Sequence, residues 1–241
     1  MKFNPLLGKS LRPNEQRARN AVIMVYIVMA FEIICLLSSL LQFFLLRWIA
    51  AGESVSEQSI LLNDTREMIV SWAYLGVYIA SGVIFIMWFR RAYYNLHTKI
   101  SYLNYDEGWA AGAWFVPFLN LVRPYQIMNE LYIETKRLLA KKEVTHNPDI
   151  LKTNYLGVWW GLWILNGILG GILSRMGLRA DTVDELIVIT VGYMITYLIG
   201  IPLALVTVKV IRDYSKSEPL LRQIKNEETQ PGEKTEQPVK S

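Results

Sequence analysis

Charged residues avoid four long blocks of this chain: 21–46, 69–89, 155–173 and 186–208. An apolar α-helix of about 20 residues covers the roughly 30 Å hydrocarbon core of a bilayer. Blocks 69–89, 155–173 and 186–208 contain no charge at all, and 21–46 contains only Glu32. In that first block 16 residues are Val, Ile, Leu or Phe. Each contributes roughly −0.3 to −0.6 kcal/mol on an insertion scale, against about 2.5–3.5 kcal/mol for one central charge. The apolar sum prevails, so four transmembrane helices are expected.

Composition supports this by distribution rather than by excess. The chain is 52% hydrophobic and 19% charged, where a soluble domain carries about 25% charged residues. An ordinary soluble domain and a disordered chain are both excluded. The formal charge of +4 is no argument for nucleic acid, because membrane proteins gather Lys and Arg on one side, and no basic stripe with stacking aromatics is present. Cys35 is the single cysteine and His97 and His146 are the two histidines, so cysteine-rich and three-histidine zinc sites are excluded. No Walker, nucleophile-elbow, HExxH or dinucleotide motif is present. No cofactor or metal is expected. The basic N-terminal flank precedes an apolar run longer than the roughly 7–15 residues of a signal-peptide core, so 21–46 reads as a retained first span.

Residues 108–123, from Gly108-Trp109 through Trp114, Pro117 and Asn120 to Arg123, are too short an apolar stretch to cross and read as a re-entrant segment. Without a crossing there, 21 of the 25 basic residues fall on one side. The positive-inside rule then places both termini in the cytoplasm. Pro124 suits the first turn of a following helix, and 124–142 reads as an interfacial amphipathic helix. Lys136, Arg137, Lys141 and Lys142 at its end can meet anionic headgroups. Packing of this helix on the bundle is the plainer alternative. Residues 1–20 read as a basic cytoplasmic segment, 21–212 as the membrane domain and 213–241 as a disordered cytoplasmic tail.

Glu32 is the sharpest single residue, since an ionisable group at mid-membrane is a functional hypothesis by default. It shares a helical face with Cys35, Ser39 and Gln42. Matching polar stripes run through Ser71, Tyr74, Tyr78 and Ser81, and through Thr190, Tyr193, Tyr197 and Gly200, with Asn166 in the third span. Glu32, Ser39, Tyr78, Asn166 and Tyr197 are therefore the intramembrane polar candidates. They either line a path for an ion or proton, or glue helices together. Gly157-xxx-Gly161 and Gly167-xxx-Gly171 allow close helix contact, inside one chain or in a homo-oligomer. A denser polar cluster lies on the expected cytoplasmic side. There Arg90, Arg91 and Arg123 can pair with Asp106, Glu107 and Glu130 to hold a re-entrant loop, which needs polar partners at membrane depth. His97 with Asp106 and Glu107 is the weaker acid–base candidate.

The runs Trp88-Phe-Arg90-Arg91-Ala-Tyr-Tyr-Asn95 and Gly108 to Leu131, with Trp-Phe-x-Pro followed by Asn and a second Pro, resemble a bacterial membrane family catalogued as domain of unknown function 4328. The resemblance covers most of 20–212, and its specific part is 88–131. It implies a multi-pass protein of the bacterial cytoplasmic membrane and transfers no activity or catalytic residue. Glu32 lies outside the motif. The motif makes Arg90, Arg91, Asn95, Trp109, Trp114, Pro117, Asn120, Arg123, Pro124 and Glu130 the candidate ligand- or partner-binding residues. The leading expectation is a non-enzymatic membrane protein that binds a protein partner or lipid, anionic lipid included, at the cytoplasmic face through 108–131. A small transporter or channel using Glu32 is the alternative, and a membrane-embedded lipid-modifying enzyme the third.

Overall fold

The computed structural model describes residues 4–144 and 151–224. Its secondary structure is helical: α1 (Glu15–Ala50), α2 (Glu57–His97), α3 (Trp109–Gly112), α4 (Arg123–Lys141), α5 (Leu156–Gly177) and α6 (Val183–Ser217). Short 3₁₀ segments lie at Leu119–Leu121 and Glu218–Gln223. Four helices, α1, α2, α5 and α6 with its 3₁₀ extension, are long and apolar enough to cross a membrane, the architecture of a multi-pass membrane protein. Each carries one of the four apolar blocks, to within a residue.

Two of the hairpin connections are capped by local chemistry. Ser56 caps α2 by accepting from the Ser59 amide, and Thr182 and Glu185 form a reciprocal capping box on α6, which satisfies amides that open a helix. Pro124 stands in the first turn of α4 as its fixed φ suggests. Helix α1 packs along both α2 and α6, and α6 packs along α5, while the α2 and α5 backbones stand apart and the rings of Phe85 and Trp159 meet between them at 6.1 Å. A lateral gap therefore separates α2 from α5.

At 1.5 Å per residue α1 and α2 run for about 54 and 62 Å, far beyond the roughly 30 Å of hydrocarbon. The surplus of α2 and α6 builds a soluble-type core at the end of the bundle where α1 starts and α6 finishes, the proximal end. Trp88, Phe89, Tyr93 and Leu96 of α2 meet Ile127, Met128, Leu131 and Tyr132 of α4, and Ile211 and Tyr214 of α6, all essentially fully buried. The apolar face of α4 is thus covered by protein, which is the plainer of the two readings of that helix. Its charge pattern still marks the opposite face.

Residues 213–224 are not tail. Helix α6 runs to Ser217, and Tyr214, Ser217, Glu218 and Leu221 are buried. The charges and Pro219, Pro231 and Pro238 suggest a disordered segment from 213, but an apolar period continues through Tyr214, Leu221 and Ile224. The remainder of that segment, from 225, lies outside the described residues. Residues 4–14 also dock on the bundle. Asn4 Nδ2 donates to the carbonyls of His97 and Ile100 at 2.8 and 2.9 Å, and the Arg12 guanidinium lies 4.1 Å over the Tyr94 ring.

At the opposite, distal end a polar clamp joins α1 to α2. Arg66 donates to Ser38 Oγ and the Ser38 carbonyl at 3.0 and 3.1 Å, and Ser38 Oγ donates to Glu67. The glycines of α5 do not do what their spacing suggests within one chain. Open space lies where a Cβ would stand on Gly157, Gly161, Gly167 and Gly171. Close approach of α5 and α6 occurs instead at Gly192, where a Cβ would sit 2.3 Å from Leu173 Cδ2.

Candidate functional site

Glu32 is placed by three helices. Its side chain leaves α1 toward α6 and is only 2% exposed. A Cβ on Gly200 would lie 2.4 Å from its carboxyl carbon, so the missing side chain of Gly200 is what admits the carboxylate against the α6 backbone. From α2, Tyr74 donates its hydroxyl to Glu32 Oε1 at 2.8 Å. The second oxygen, Oε2, is buried and has no hydrogen-bond partner among the described residues. The polar stripes meet on this axis. The Tyr74 ring stands edge-on to Tyr197 at 5.9 Å, Tyr193 stacks on Tyr197, and Gln42 Nε2 donates to Thr190 Oγ1 at 3.3 Å.

Two cavities flank this axis. The proximal one, about 280 Å³, is lined by Glu32, Tyr78, Ser81, Phe85, Trp159, Trp163 and Asn166, and bounded by Trp114 and Phe115. The distal one, about 630 Å³, is lined by Ser39, Gln42, Glu67, Tyr74, Tyr193 and Tyr197, and shares Tyr78 and Asn166 with the first. All five intramembrane polar candidates thus line one cavity or the other. Both cavities draw walls from α2 and α5, the pair that leaves the lateral gap.

The motif residues are chiefly the scaffold that carries Trp114 to this place. Arg90 donates to Glu107 Oε1 at 2.8 Å, and that bond raises the Arg90 pKa further above its ordinary range. Glu130 is buried. It accepts from the Asn104 amide and side chain at 2.8 and 2.6 Å and from the Tyr93 hydroxyl at 2.5 Å. Burial, followed by that bond, pushes the Tyr93 hydroxyl well above its ordinary pKa, so it stays a donor. Arg123 pairs with ring faces rather than a carboxylate: it lies 4.5 Å over Tyr105 and 6.0 Å from Trp109. Arg91 lies near Arg12 and Arg17, and burial lowers its pKa first. Of the proposed arginine–carboxylate pairings, that of Arg90 with Glu107 is formed.

Between α3 and α4 the backbone turns sharply. Phe118 has φ +63 and ψ −38, and the Leu119 amide donates to the Pro117 carbonyl at 2.8 Å. This is the strained form of the γ-turn, uncommon for a residue with a Cβ. It lifts Pro117 and Phe118 to the outside, while Asn120, on the following 3₁₀ turn, donates its amide to Val116. Pro124 is buried behind it. The Trp114 indole stands edge-on to Phe85, Trp160 and Trp163 at 5.6–5.9 Å. Trp160 Nε1 donates to the Leu121 carbonyl at 2.8 Å and anchors the far side of the turn.

Asn95 serves another purpose. It is buried and joins three segments, donating to Glu218 Oε1 at 2.7 Å and to the Arg12 carbonyl at 2.9 Å. Asn14 reaches the same Glu218 carboxylate at 3.0 and 3.2 Å. The sequence reading missed Glu218, whose only signal was an apolar frame around it, Tyr214 and Leu221. His97 is enclosed edge-on against Tyr93 at 4.7 Å, and burial lowers its pKa. Glu107 has its carboxylate held by Arg90, and with Asp106 it opposes that shift by charge. No group of three His, Cys, Asp or Glu side chains suited to a metal occurs among the described residues.

No curated protein and no solved structure matches the chain. The family model described as "Domain of unknown function (DUF4328)" matches residues 51–216, which takes in α2 to α6 and the whole motif but not α1 with Glu32. On the strength of that match, over more than half of its length and through the very segment that shapes the cavity floor, the chain belongs to the DUF4328 family.

Proposed function

We propose that this is a non-enzymatic protein of the bacterial cytoplasmic membrane that binds a lipid-like amphiphile through the 108–131 motif. In this reading the motif segment re-enters the bilayer from the cytoplasmic face and closes the lower end of the α2–α5 cavity. The observation that carries it is the pairing of two faces on one segment. Trp114 turns inward onto the cavity wall and Phe115, 75% exposed, stands at its rim, while Phe118, 84% exposed, turns outward with Val122. In water each such phenylalanine forgoes about 1.5–3 kcal/mol of burial; in hydrocarbon the tip is matched to its surroundings. The strained turn at Phe118 buys this presentation. Irregular backbone at membrane depth needs protein cover, and Glu130, Trp160 and the Arg90–Glu107 pair supply it. The gap between α2 and α5 gives an acyl chain a sideways entrance. Basic residues near α4 and at both termini set the orientation by the positive-inside rule.

Orientation is tested by placing single cysteines in a Cys35→Ser chain. Glu53→Cys is expected to react with an impermeant maleimide on intact spheroplasts, and Asp106→Cys only after permeabilisation. Labelling of Asp106→Cys from outside overturns the topology. Binding is tested in nanodiscs by tryptophan fluorescence, with undecanol carrying a terminal bromine as a short-range quencher. Saturable quenching is expected in the wild type, and Trp114→Ala should abolish the saturable phase while Trp159 and Trp163 still report. Phe115→Ala, a milder opening of the same wall, should weaken it about threefold, or 0.7 kcal/mol. Quenching that rises without saturation in the wild type sinks the cavity reading.

A further inference from the structure

We infer that the Glu32 cavity takes the protonated amine head of a single-chain amphiphile, held between Glu32 and Asn166 with its chain leaving through the α2–α5 gap. This rests on the cavity-binding reading above and adds the head-group chemistry. Two acceptor atoms on different helices carry the inference. Glu32 Oε2 on α1 and Asn166 Oδ1 on α5 are both buried and lack hydrogen-bond partners among the described residues, and both residues line the same cavity. A carboxylate and an amide oxygen only accept, so the complementary group is a donor, and an ammonium offers three N–H bonds.

Charge narrows the choice. Neither cavity is lined by Lys, Arg or His, and Glu32 forms no ion pair among the described residues. Glu67, the other lining carboxylate, is taken by Arg66 and Ser38. An ionised carboxylate inside a bilayer is costly without a partner, and a cationic head supplies one. A fatty-acid or phosphate head would face Glu32 with like charge. A neutral alcohol brings a donor but no charge. A hard divalent ion needs about six oxygen ligands, and these walls offer two unpartnered ones. The walls themselves favour a cation: Phe85, Trp159 and Trp163 line the cavity, and ring faces attract ammonium groups. Its volume of about 280 Å³ sits at the lower edge of the roughly 300–1,000 Å³ typical of ligand sites, which suits one chain rather than a two-chain phospholipid.

The test compares two brominated probes on the full chain in nanodiscs, terminally brominated undecylammonium and undecanol. The ammonium is expected to half-saturate tryptophan quenching at about tenfold lower mole fraction, or 1.4 kcal/mol. Glu32→Gln, close in shape, should bring the two probes together. Glu53→Gln, on the exposed distal turn, should leave the preference intact. Should Glu32→Gln fail to give helical, monodisperse protein, Asn166→Leu decides: the ammonium preference must shrink about threefold. The inference falls if the probes saturate alike in the wild type, or if the preference survives Glu32→Gln or Asn166→Leu. Equal but saturable quenching leaves the cavity reading standing and removes only the amine. If neither probe saturates, both readings fall.

Discussion

Glu218→Ala is expected to destabilise the chain by about 2–4 kcal/mol, because it leaves the buried amide donors of Asn14 and Asn95 short of an acceptor and each lost partner costs about 1–3 kcal/mol. The carboxylate ties α6 to α2 and to the segment that opens α1, so the loss should appear first as proteolysis after residue 212 and then as a lower unfolding temperature. The same knot carries a pH dependence. Burial raises the Glu218 pKa above its ordinary 4.5, opposed first by the Asn95 and Asn14 bonds and then by Arg222, with Glu15 adding to the rise. The folded state therefore holds its proton to higher pH than the unfolded chain does. Its contribution is fully present below the ordinary carboxyl value and declines as pH rises through the elevated one. Glu218→Gln should flatten that part of the stability profile, measured as the difference between the two unfolding curves. An unchanged slope would remove Glu218 as its source.

Gly200→Ala should cost about 1–3 kcal/mol, the usual penalty for forcing extra carbon into a packed site. The added methyl would stand 2.4 Å from the Glu32 carboxyl carbon and 2.5 Å from Oε1, against α6 backbone that cannot step aside without disturbing its long contact with α1. Relief must come from Glu32, which would then be driven off Tyr74. The double variant Glu32→Ala/Gly200→Ala is expected to recover most of the penalty, because the alanine at 32 vacates the space. A double-mutant cycle on thermal unfolding in detergent measures that coupling, expected at about 1 kcal/mol or more. Additive losses would mean that the two residues do not meet as described. Gly192→Ala makes a useful contrast, since its clash is with the flexible end of Leu173, which can rotate away.

Much of the fold was legible because hydrophobic solvation acts on composition over a window of about 20 residues. The four apolar blocks each fall on one long helix, and Pro124 stands in the first turn of α4 as its fixed φ suggests. Helix ends were far less legible. Residues 90–97 and 213–217 carry charges on one face, yet their other face closes a buried core, and a hydropathy window averages the two faces together. The polar face around Glu32 was visible in its spacing of three and four. That Tyr74 reaches one oxygen while the other is left without a partner was not, because it depends on how far apart three helices stand.

The sequence by itself determined that this chain has four apolar helices and which residues share a face along each of them, since both follow from local periodicity and the cost of burying charge. The tertiary structure alone decided that α2 and α5 stand apart, that Gly200 rather than the α5 glycines is the close-approach point on Glu32, and that the motif directs Trp114 to the edge of the resulting cavity. Those outcomes come from helix–helix distances. They are set by side-chain packing between segments distant in the chain, such as those of Glu32 and Gly200, which no local pattern records.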